Sequence, residues 1–256
     1  MSSEAPNSVA LLLIGTELLT GKIRDENGPL CVSTFAASGV KLSEIRVVHD
    51  DAPIIADAVR QMRREADYVI TSGGIGPTHD DVTLRAVADA LDVDLVRDPV
   101  LMEHVVRVFG DDPKSVEVWA RMAEVPEGTT FVPMTGRYWP VYRARNIFIL
   151  PGVPQLFAKQ LERIAPEFFG IPIHAAVLYV TIGEGPIATP LTDATRRFPG
   201  VDFGSYPIWG NDKFRTRLTV ESASQESVKR AASWLVEALG EEVVVEVTYD
   251  ERGLRG

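Results

Sequence analysis

Cysteine is nearly missing from this chain: Cys31 is the only one in 256 residues. No internal disulfide can form, which points to a reducing compartment, and a small buried side chain is a plainer reading of Cys31 than a catalytic thiol. Positive charge is also short. Lys and Arg number 26 against 36 Asp and Glu, giving a net charge of −10 and a pI of about 5.0. No basic patch stands out, which argues against nucleic acid as a partner. Long apolar runs are lacking too. Val9 to Ile14 is too short for a signal-peptide core or a membrane span, and Met1 to Ser8 carries no positive residue. A cytoplasmic protein without membrane attachment is the expectation. Internal repeats and low-complexity linkers are absent. The remaining composition, 45% hydrophobic and 24% charged, is that of an ordinary globular chain long enough for one large domain or two modest ones.

The densest stretch is Tyr68 to Thr83. Tyr68 to Thr71 reads as a buried strand, and Leu84, Val87, Ala88 and Leu91 form the stripe of a helix with one buried face. Between them lie Gly73, Gly74, Gly76, Pro77, Thr78, Asp80 and Asp81. Two familiar phosphate motifs are ruled out: no Lys-Ser/Thr follows the glycines, and the third glycine of a dinucleotide fingerprint is missing. The glycines still allow a ligand to approach the main chain, and successive N–H groups in such a turn form an anion-binding concavity. The helix start adds further donors. Asp80 and Asp81 would repel a phosphate there, by roughly 4 kcal/mol per charge pair at ~4 Å and an effective dielectric of about 20. A divalent cation bridging carboxylate and phosphate reverses that sign, so the loop suggests phosphate plus Mg²⁺ or a similar oxygen-seeking metal. The bland alternative is that Asp81 is only the N-cap of the helix and the glycines only shape a strand-to-helix turn.

Other elements follow in order. Val9 to Ile14 reads as a strand covered on both faces, ending in Gly15-Thr16-Glu17-Leu18-Leu19-Thr20-Gly21. A helix spans about 27 to 38, and Leu42 to Val48 is a strand. Asp51 and Pro53 open a helix with Ile55, Ala58, Val59 and Met62 on one face. A short strand at 94 to 97 precedes a helix from Asp98-Pro99 to Phe109, and another helix is expected over 114 to 122. Asn146 to Leu150 is a strand running into Pro151-Gly152-Val153-Pro154 and a helix over about 155 to 165. From about Gly170 the rhythm changes. Strands at 173–182, 201–207, 214–221 and 243–247, with helices at 187–198 and 224–239 and Gly183 to Pro186 read as a turn, give the order β-α-β-β-α-β of a ferredoxin-like unit.

Ser72-Gly73-Gly74-Ile75-Gly76-Pro77-Thr78-His79-Asp80-Asp81-Val82-Thr83 resembles the Thr-Gly-Gly-x-Gly-Pro-Thr-x-Asp-Asp-x-Thr signature of the molybdopterin-binding domain superfamily, and within it the CinA-like branch. Gly15-Thr16-Glu17-Leu18-Leu19-x-Gly21 resembles that family's first motif. Asp25-Glu26-Asn27 stands where the family commonly has Asp-Thr-Asn. Ala123-Glu124-Val125-Pro126-Glu127-Gly128 and Leu150-Pro151-Gly152-Val153-Pro154 agree with further family segments. Two departures stand out. Where the family carries a turn with Asn-Pro-x-Gly, this chain has Val132-Pro133-Met134-Thr135-Gly136-Arg137-Tyr138-Trp139-Pro140; the aromatic pair could stack on a base or pterin, or simply pack. The serine that normally follows Glu184 is replaced by Gly185-Pro186.

The resemblance implies a doubly wound, mostly parallel α/β domain over residues 5–169 and a small ferredoxin-like α+β domain over 170–248; residues 249–256 are left as a tail, which as a chain end is expected to be disordered from Asp250 to Gly256. The resemblance places the ligand site at the carboxyl ends of the strands. It implies metal-dependent hydrolysis of a nucleotide pyrophosphate with Mg²⁺, Mn²⁺ or Co²⁺, ADP-ribose being the first candidate and FAD the second. Asp81, Asp80 and Glu17 take the catalytic roles, with Asp80 and Asp81 on the metal. Ser72, Gly73, Gly74, Gly76, Thr78, Asn27, Pro151, Gly152 and Pro154 hold phosphates and substrate. Without the resemblance, Glu17 and Asn27 would read as surface loop residues. Two alternatives stay open: molybdopterin binding with adenylyl transfer, and a nucleotide- or pterin-binding protein without catalysis. The partner expected is a small nucleotide or pterin phosphate, in a homo-oligomer. The C-terminal domain of longer family members, which deamidates nicotinamide mononucleotide, has no counterpart here, and that activity is expected to be absent.

Overall fold

The structure is a computed structural model that describes residues 7–134 and 138–250. Thr135, Gly136 and Arg137 of the altered turn, and the tail beyond residue 250, lie outside the described residues. The chain divides into two compact units, one formed by Met1–Phe35 with Val40–Gly170 and the other by Ala36–Gly39 with Ile171–Gly256. Among the described residues, no helix is long and apolar enough to cross a membrane.

In the first unit, strands β1 (Ser8–Ile14), β2 (Lys41–Val48) and β3 (Tyr68–Ser72) are followed by two short strands, β4 (Leu95–Arg97) and β5 (Glu124–Pro126), then β6 (Thr130–Val132), β7 (Val141–Ala144) and β8 (Ile147–Leu150). The helices are α1 (Thr16–Leu19), α2 (Asn27–Ser38), α3 (Ala52–Glu65), α4 (Thr83–Leu91), α5 (Pro99–Phe109), α6 (Pro113–Trp119) and α7 (Pro154–Ile164). The main sheet runs β2-β1-β3-β8-β7-β6. Its first four strands pair in parallel, and β7 and β6 add an antiparallel flank. The separate pair β4 and β5 is antiparallel.

β1 shows why both faces are covered. Successive side chains on a strand point to opposite faces. Ala10, Leu12 and Ile14 join Ile55, Val59 and Met62 of α3 and Val87 and Leu91 of α4 in one core. Val9, Leu11 and Leu13 join Cys31 and Phe35 of α2 and Phe157, Leu161 and Ile164 of α7 in the other. α3 and α4, on one face, are helices whose apolar stripes the sequence displays, and the doubly wound, mostly parallel α/β fold expected for this region is what forms. From β1 the chain steps outward to β2 through α2, then returns through α3 to β3 on the opposite side of β1. That reversal opens a crevice at the carboxyl ends of β1 and β3, where open α/β sheets bind ligands.

The second unit consists of β9 (His174–Val180), α8 (Glu184–Arg197), β10 (Asp202–Pro207), β11 (Thr216–Ser222), α9 (Gln225–Leu239) and β12 (Val244–Asp250). The sheet order is β10-β11-β9-β12 with every neighbouring pair antiparallel, a ferredoxin-like arrangement. Val228, Ala231, Ala232 and Leu235 of α9 and Ile187 of α8 pack on Ala176, Leu178, Val180, Leu218 and Val220. One expectation is corrected. Gly183 to Pro186 is not a free-standing turn: α8 begins at Glu184. Pro186 falls in the first helical turn, where a missing N–H costs nothing. Glu184 Oε1 accepts a hydrogen bond from Ser205 Oγ at 2.9 Å.

Candidate functional site

Three chain segments meet at the carboxyl ends of β1, β3 and β8, and Asn27 joins them. Its side chain is 6% exposed. Nδ2 donates to Ser72 Oγ and to the Gly152 carbonyl, both at 2.9 Å. Ser72 Oγ in turn donates to the Pro151 carbonyl at 3.4 Å. One buried amide therefore ties the start of α2, the end of β3 and the turn after β8. This corrects the surface-loop reading of Asn27: its partners lie far away in sequence, where local composition gives no sign of them. Asp25 prepares the same corner. Its Oδ1 accepts from the backbone N–H of Asn27 at 2.9 Å and of Gly28 at 3.1 Å, satisfying donors at the helix start.

The glycine turn is built by close approach. Gly73 has φ +112°, and a Cβ added there would sit 2.1 Å from the Ile14 carbonyl oxygen. A Cβ on Gly152 would lie 3.2 Å from Gly73 Cα, so the two turns touch backbone to backbone. The Gly73 N–H donates to the Leu150 carbonyl at 3.1 Å, continuing the β3–β8 ladder by one residue. Thr83 closes the turn from the other side: its N–H donates to the Gly74 carbonyl at 3.0 Å and its hydroxyl to the Gly73 carbonyl at 2.8 Å. Among the described residues, neither the Gly74 nor the Gly76 N–H donates to another backbone group.

Asp81 does not cap α4. The N-cap is Val82, which has no side-chain cap hydrogen bond. Asp81 Oδ2 instead accepts from the Thr78 N–H at 2.8 Å and from the Thr78 hydroxyl, and a Cβ on Gly76 would meet that oxygen at 2.7 Å. The carboxylate thus lies folded over Gly76. Glu17 does the same at the neighbouring strand end, where a Cβ on Gly15 would meet Glu17 Oε1 at 2.5 Å. Asp80 is exposed. The Thr78 hydroxyl beside it and its own backbone N–H hold its carboxyl below the usual carboxylate range, so it is ionised at neutral pH. Asp50 fixes α1, with Oδ2 accepting from the Thr16 N–H at 2.7 Å.

These groups line one cleft of about 770 Å³, within the range of small-molecule sites. Glu17, Asn27, Ser72, Gly73, Gly74, Gly76, Asp80, Asp81, Pro151, Gly152 and Pro154 all border it, whereas Thr78 does not. Sequence reasoning missed Asp25, Asp50, Phe109, Trp119, Lys159 and Gln160, which also line it. The Asp-Glu-Asn run held a signal for Asp25; the α5, α6 and α7 residues carried none. Among the described residues, no group of three His, Cys, Asp or Glu side chains converges as a metal cage. The donor set is nonetheless all oxygen, and Mg²⁺ is typically held by one or two carboxylates together with substrate phosphates and water. The residues present fit a cation of that kind.

Aromatic side chains also border the cleft, Phe109, Trp119, Tyr138 and Trp139 among them. Trp139 Nε1 donates to Tyr142 Oη, which donates to the Met122 carbonyl at 2.6 Å. Gln160 Nε2 donates to the Trp139 carbonyl at 3.0 Å. The His104 ring meets Trp139 edge-on at 4.9 Å, and burial, with Arg107 beside it, pushes the His104 pKa down.

Residues 10–169 match the family model described as a probable molybdopterin binding domain, and residues 172–248 match that of the FAD synthase middle domain. The probable FAD synthase of Caenorhabditis elegans is 30% identical over 93% of this chain, which covers 51% of that protein. A CinA-like protein of Syntrophus aciditrophicus is 31% identical over 92% of this chain and 60% of its own length. This chain therefore spans about half to three fifths of those two relatives. Among solved structures, a CinA protein of unknown function from Thermoplasma acidophilum is similar with a TM-score of 0.57, at 25% identity, over 63% of this chain and 98% of that one.

Proposed function

The chain belongs to the molybdopterin-binding domain family, in its CinA-like branch, and from that premise we propose that it hydrolyses a nucleotide pyrophosphate with the help of a divalent cation. ADP-ribose is the first candidate and FAD the second. The observation that carries this reading is the meeting of the glycine turn, Asp80, Asp81 and Glu17 in one cleft, pinned by Asn27. The match to an FAD synthase middle domain and the similarity to a probable FAD synthase support a nucleotide substrate over the molybdopterin alternative.

The N–H groups of Gly74 and Gly76 hold the phosphates from the main-chain side. Those of Gly73 and Thr78 are already engaged within the protein, so their part is to shape the turn. Asp80, ionised and exposed, and Asp81, folded over Gly76, are the carboxylates for the cation, with Glu17 positioning the attacking water from the β1 side. A divalent cation bound here would polarise a phosphoryl oxygen and acidify a bound water. Ser72, Asn27 and the Pro151–Pro154 turn fix the distance between the two backbone walls.

The test is to incubate the protein with ADP-ribose, and separately with FAD, in Mg²⁺, Mn²⁺ or Co²⁺, and to look for AMP. Asp81→Asn is the informative variant, because an amide oxygen can still accept from Thr78 while the charge is gone. Cation-dependent AMP that falls by about a hundredfold or more in Asp81→Asn is expected. No AMP from either substrate, or full turnover by the folded variant, would sink the assignment.

A further inference from the structure

We propose that the outer edge of β2 is an interface for a second copy of this chain, the two β2 strands pairing antiparallel about a two-fold axis at Ile45. The proposal does not rest on the nucleotide reading above.

Among the described residues, β2 ends the main sheet, with β1 on one side and no strand on the other. The Val48 carbonyl accepts from the Gly15 N–H at 3.1 Å and so faces the β1 side. Backbone groups of successive strand residues turn opposite ways. Glu44 to Val48 stay in unbroken register with Ala10 to Ile14, so the N–H and C=O groups of Ile45 and Val47 point out of the sheet. The one irregularity, an extra residue at Ser43 between the partners of Val9 and Ala10, lies before this run. Edge strands are commonly guarded by proline, by short length or by charge. β2 has eight residues and no proline, and Ile45 and Val47 are 41% and 37% exposed.

Charge identifies what covers this edge. The chain carries −10, so most surfaces of two copies repel each other. β2 is an exception, with Lys41 and Arg46 against Glu44. Its residue order is also self-complementary, as a two-fold contact requires. With the axis at Ile45, Glu44 of each copy lies opposite Arg46 of the other, Ile45 meets Ile45, and Val47 meets Ser43. Moving the axis to Glu44 or to Arg46 sets like charges on it; moving it to Val47 sets Glu44 against Asp50. Opposite charges across a strand pair stabilise it, and like charges do the reverse. Glu44 and Arg46 are already held in place. They pair at 2.7 Å, and Arg46 Nη1 donates to Gln61 Oε1 of α3 at 2.9 Å. A strand edge alone falls short of the roughly 1,600 Å² of a standard interface. The flank of α3 extends it, since Ile54, 45% exposed, shares a helix face with Gln61 about two turns further on. Antiparallel pairing sets the two clefts at opposite ends of the joined sheet, so each cleft is complete within one chain.

The experiment is the molar mass of the intact protein by sedimentation between about 1 and 100 μM, the span over which weak to moderate interfaces dissociate. Dimers that dissociate on dilution are expected. Ile45→Pro removes an N–H that the isolated sheet does not use and should leave a monomer. Glu44→Arg and Arg46→Glu should each weaken the dimer at least about tenfold. Circular dichroism checks that every variant is folded. An equal mixture of the Glu44→Arg and Arg46→Glu proteins should recover dimers, because each chain of one then faces opposite charges on the other at both positions. A larger even-numbered oligomer that Ile45→Pro cuts to half its mass keeps the interface. A parent that is monomeric throughout, an oligomer unchanged in the folded variants, or a mixture that stays monomeric overturns it. So does a trimer, since a two-fold contact closes at two.

Discussion

At the scale of single residues, the site depends on positions where a side chain cannot fit. Gly73 combines φ +112° with a Cβ position 2.1 Å from a backbone oxygen of β1. Neither the angle nor the neighbour can relax without moving the sheet. Gly73→Ala should cost on the order of 3 kcal/mol, measured by urea unfolding. Gly185 is the contrast: it lies in α8 with nothing within 4 Å of an added Cβ. Gly185→Ala should be neutral or stabilising by up to about 1 kcal/mol. Equal effects of the two substitutions would show that the turn is looser than its geometry states. Cys31 illustrates the opposite case, a reactive group made inert. Burial, and then the nearby Asp25 charge, push its thiol up to about 12. The thiolate is therefore not populated near neutrality, and Cys31, on the buried face of α2, packs in the core as a small apolar side chain.

At the scale of elements, the decisive feature is that one amide holds three of them. Asn27→Asp isolates this, because it keeps the shape but turns a donor into an acceptor facing the Gly152 carbonyl. A buried carboxylate there, with no cation and an opposed oxygen, has its pKa raised above the unfolded value. Its protonated form can still donate, so native stability is retained at low pH and is lost as pH rises through the folded pKa. Urea unfolding should place Asn27→Asp close to the parent at pH 4 and below it at pH 8, by about 1–3 kcal/mol. A pH-independent difference would refute the pin.

The elements also show what a sequence can disclose. The helices with apolar stripes, α3, α4 and α9, are legible because their buried positions repeat with the helical period. So is β1, a wholly apolar run. The strands β5, β6 and β7 were not legible: each has three or four residues, too few for alternation to register. α1 is a single turn inside a motif that reads as loop. At the site, the residue types were visible in the motifs, but their engagement was not. The Gly73 N–H is committed to Leu150, and Asn27 is buried by partners 45 and 125 residues away. Such facts depend on which strands become neighbours. The aromatic residues bordering the cleft were half visible, since Tyr138 and Trp139 stood out, while Phe109, Trp119 and Lys159 come from helices with no motif to mark them.

At the scale of the whole molecule, charge sets a constraint that the site must overcome. The chain carries −10 overall, and its cleft is bordered by Glu17, Asp25, Glu26, Asp50, Asp80 and Asp81. Under the proposed function, a phosphate ligand would approach a like-charged protein and would have to be held there by backbone dipoles. This inverts the usual salt response of phosphate binding, in which cationic side chains attract the ligand and salt weakens the complex. Without a divalent cation, ADP-ribose binding should strengthen as NaCl rises from about 20 to about 200 mM, because shortening the screening length from roughly 20 Å to below 10 Å mutes the repulsion. With Mg²⁺ present the trend should flatten or reverse, since the cation supplies the attraction that salt then screens. Calorimetric titration in a chelator and in Mg²⁺ reads both slopes. Binding that weakens with salt in the chelator would mean that a cationic side chain, Arg24 or Lys159, holds the phosphates, and the glycine turn would lose the role assigned to it.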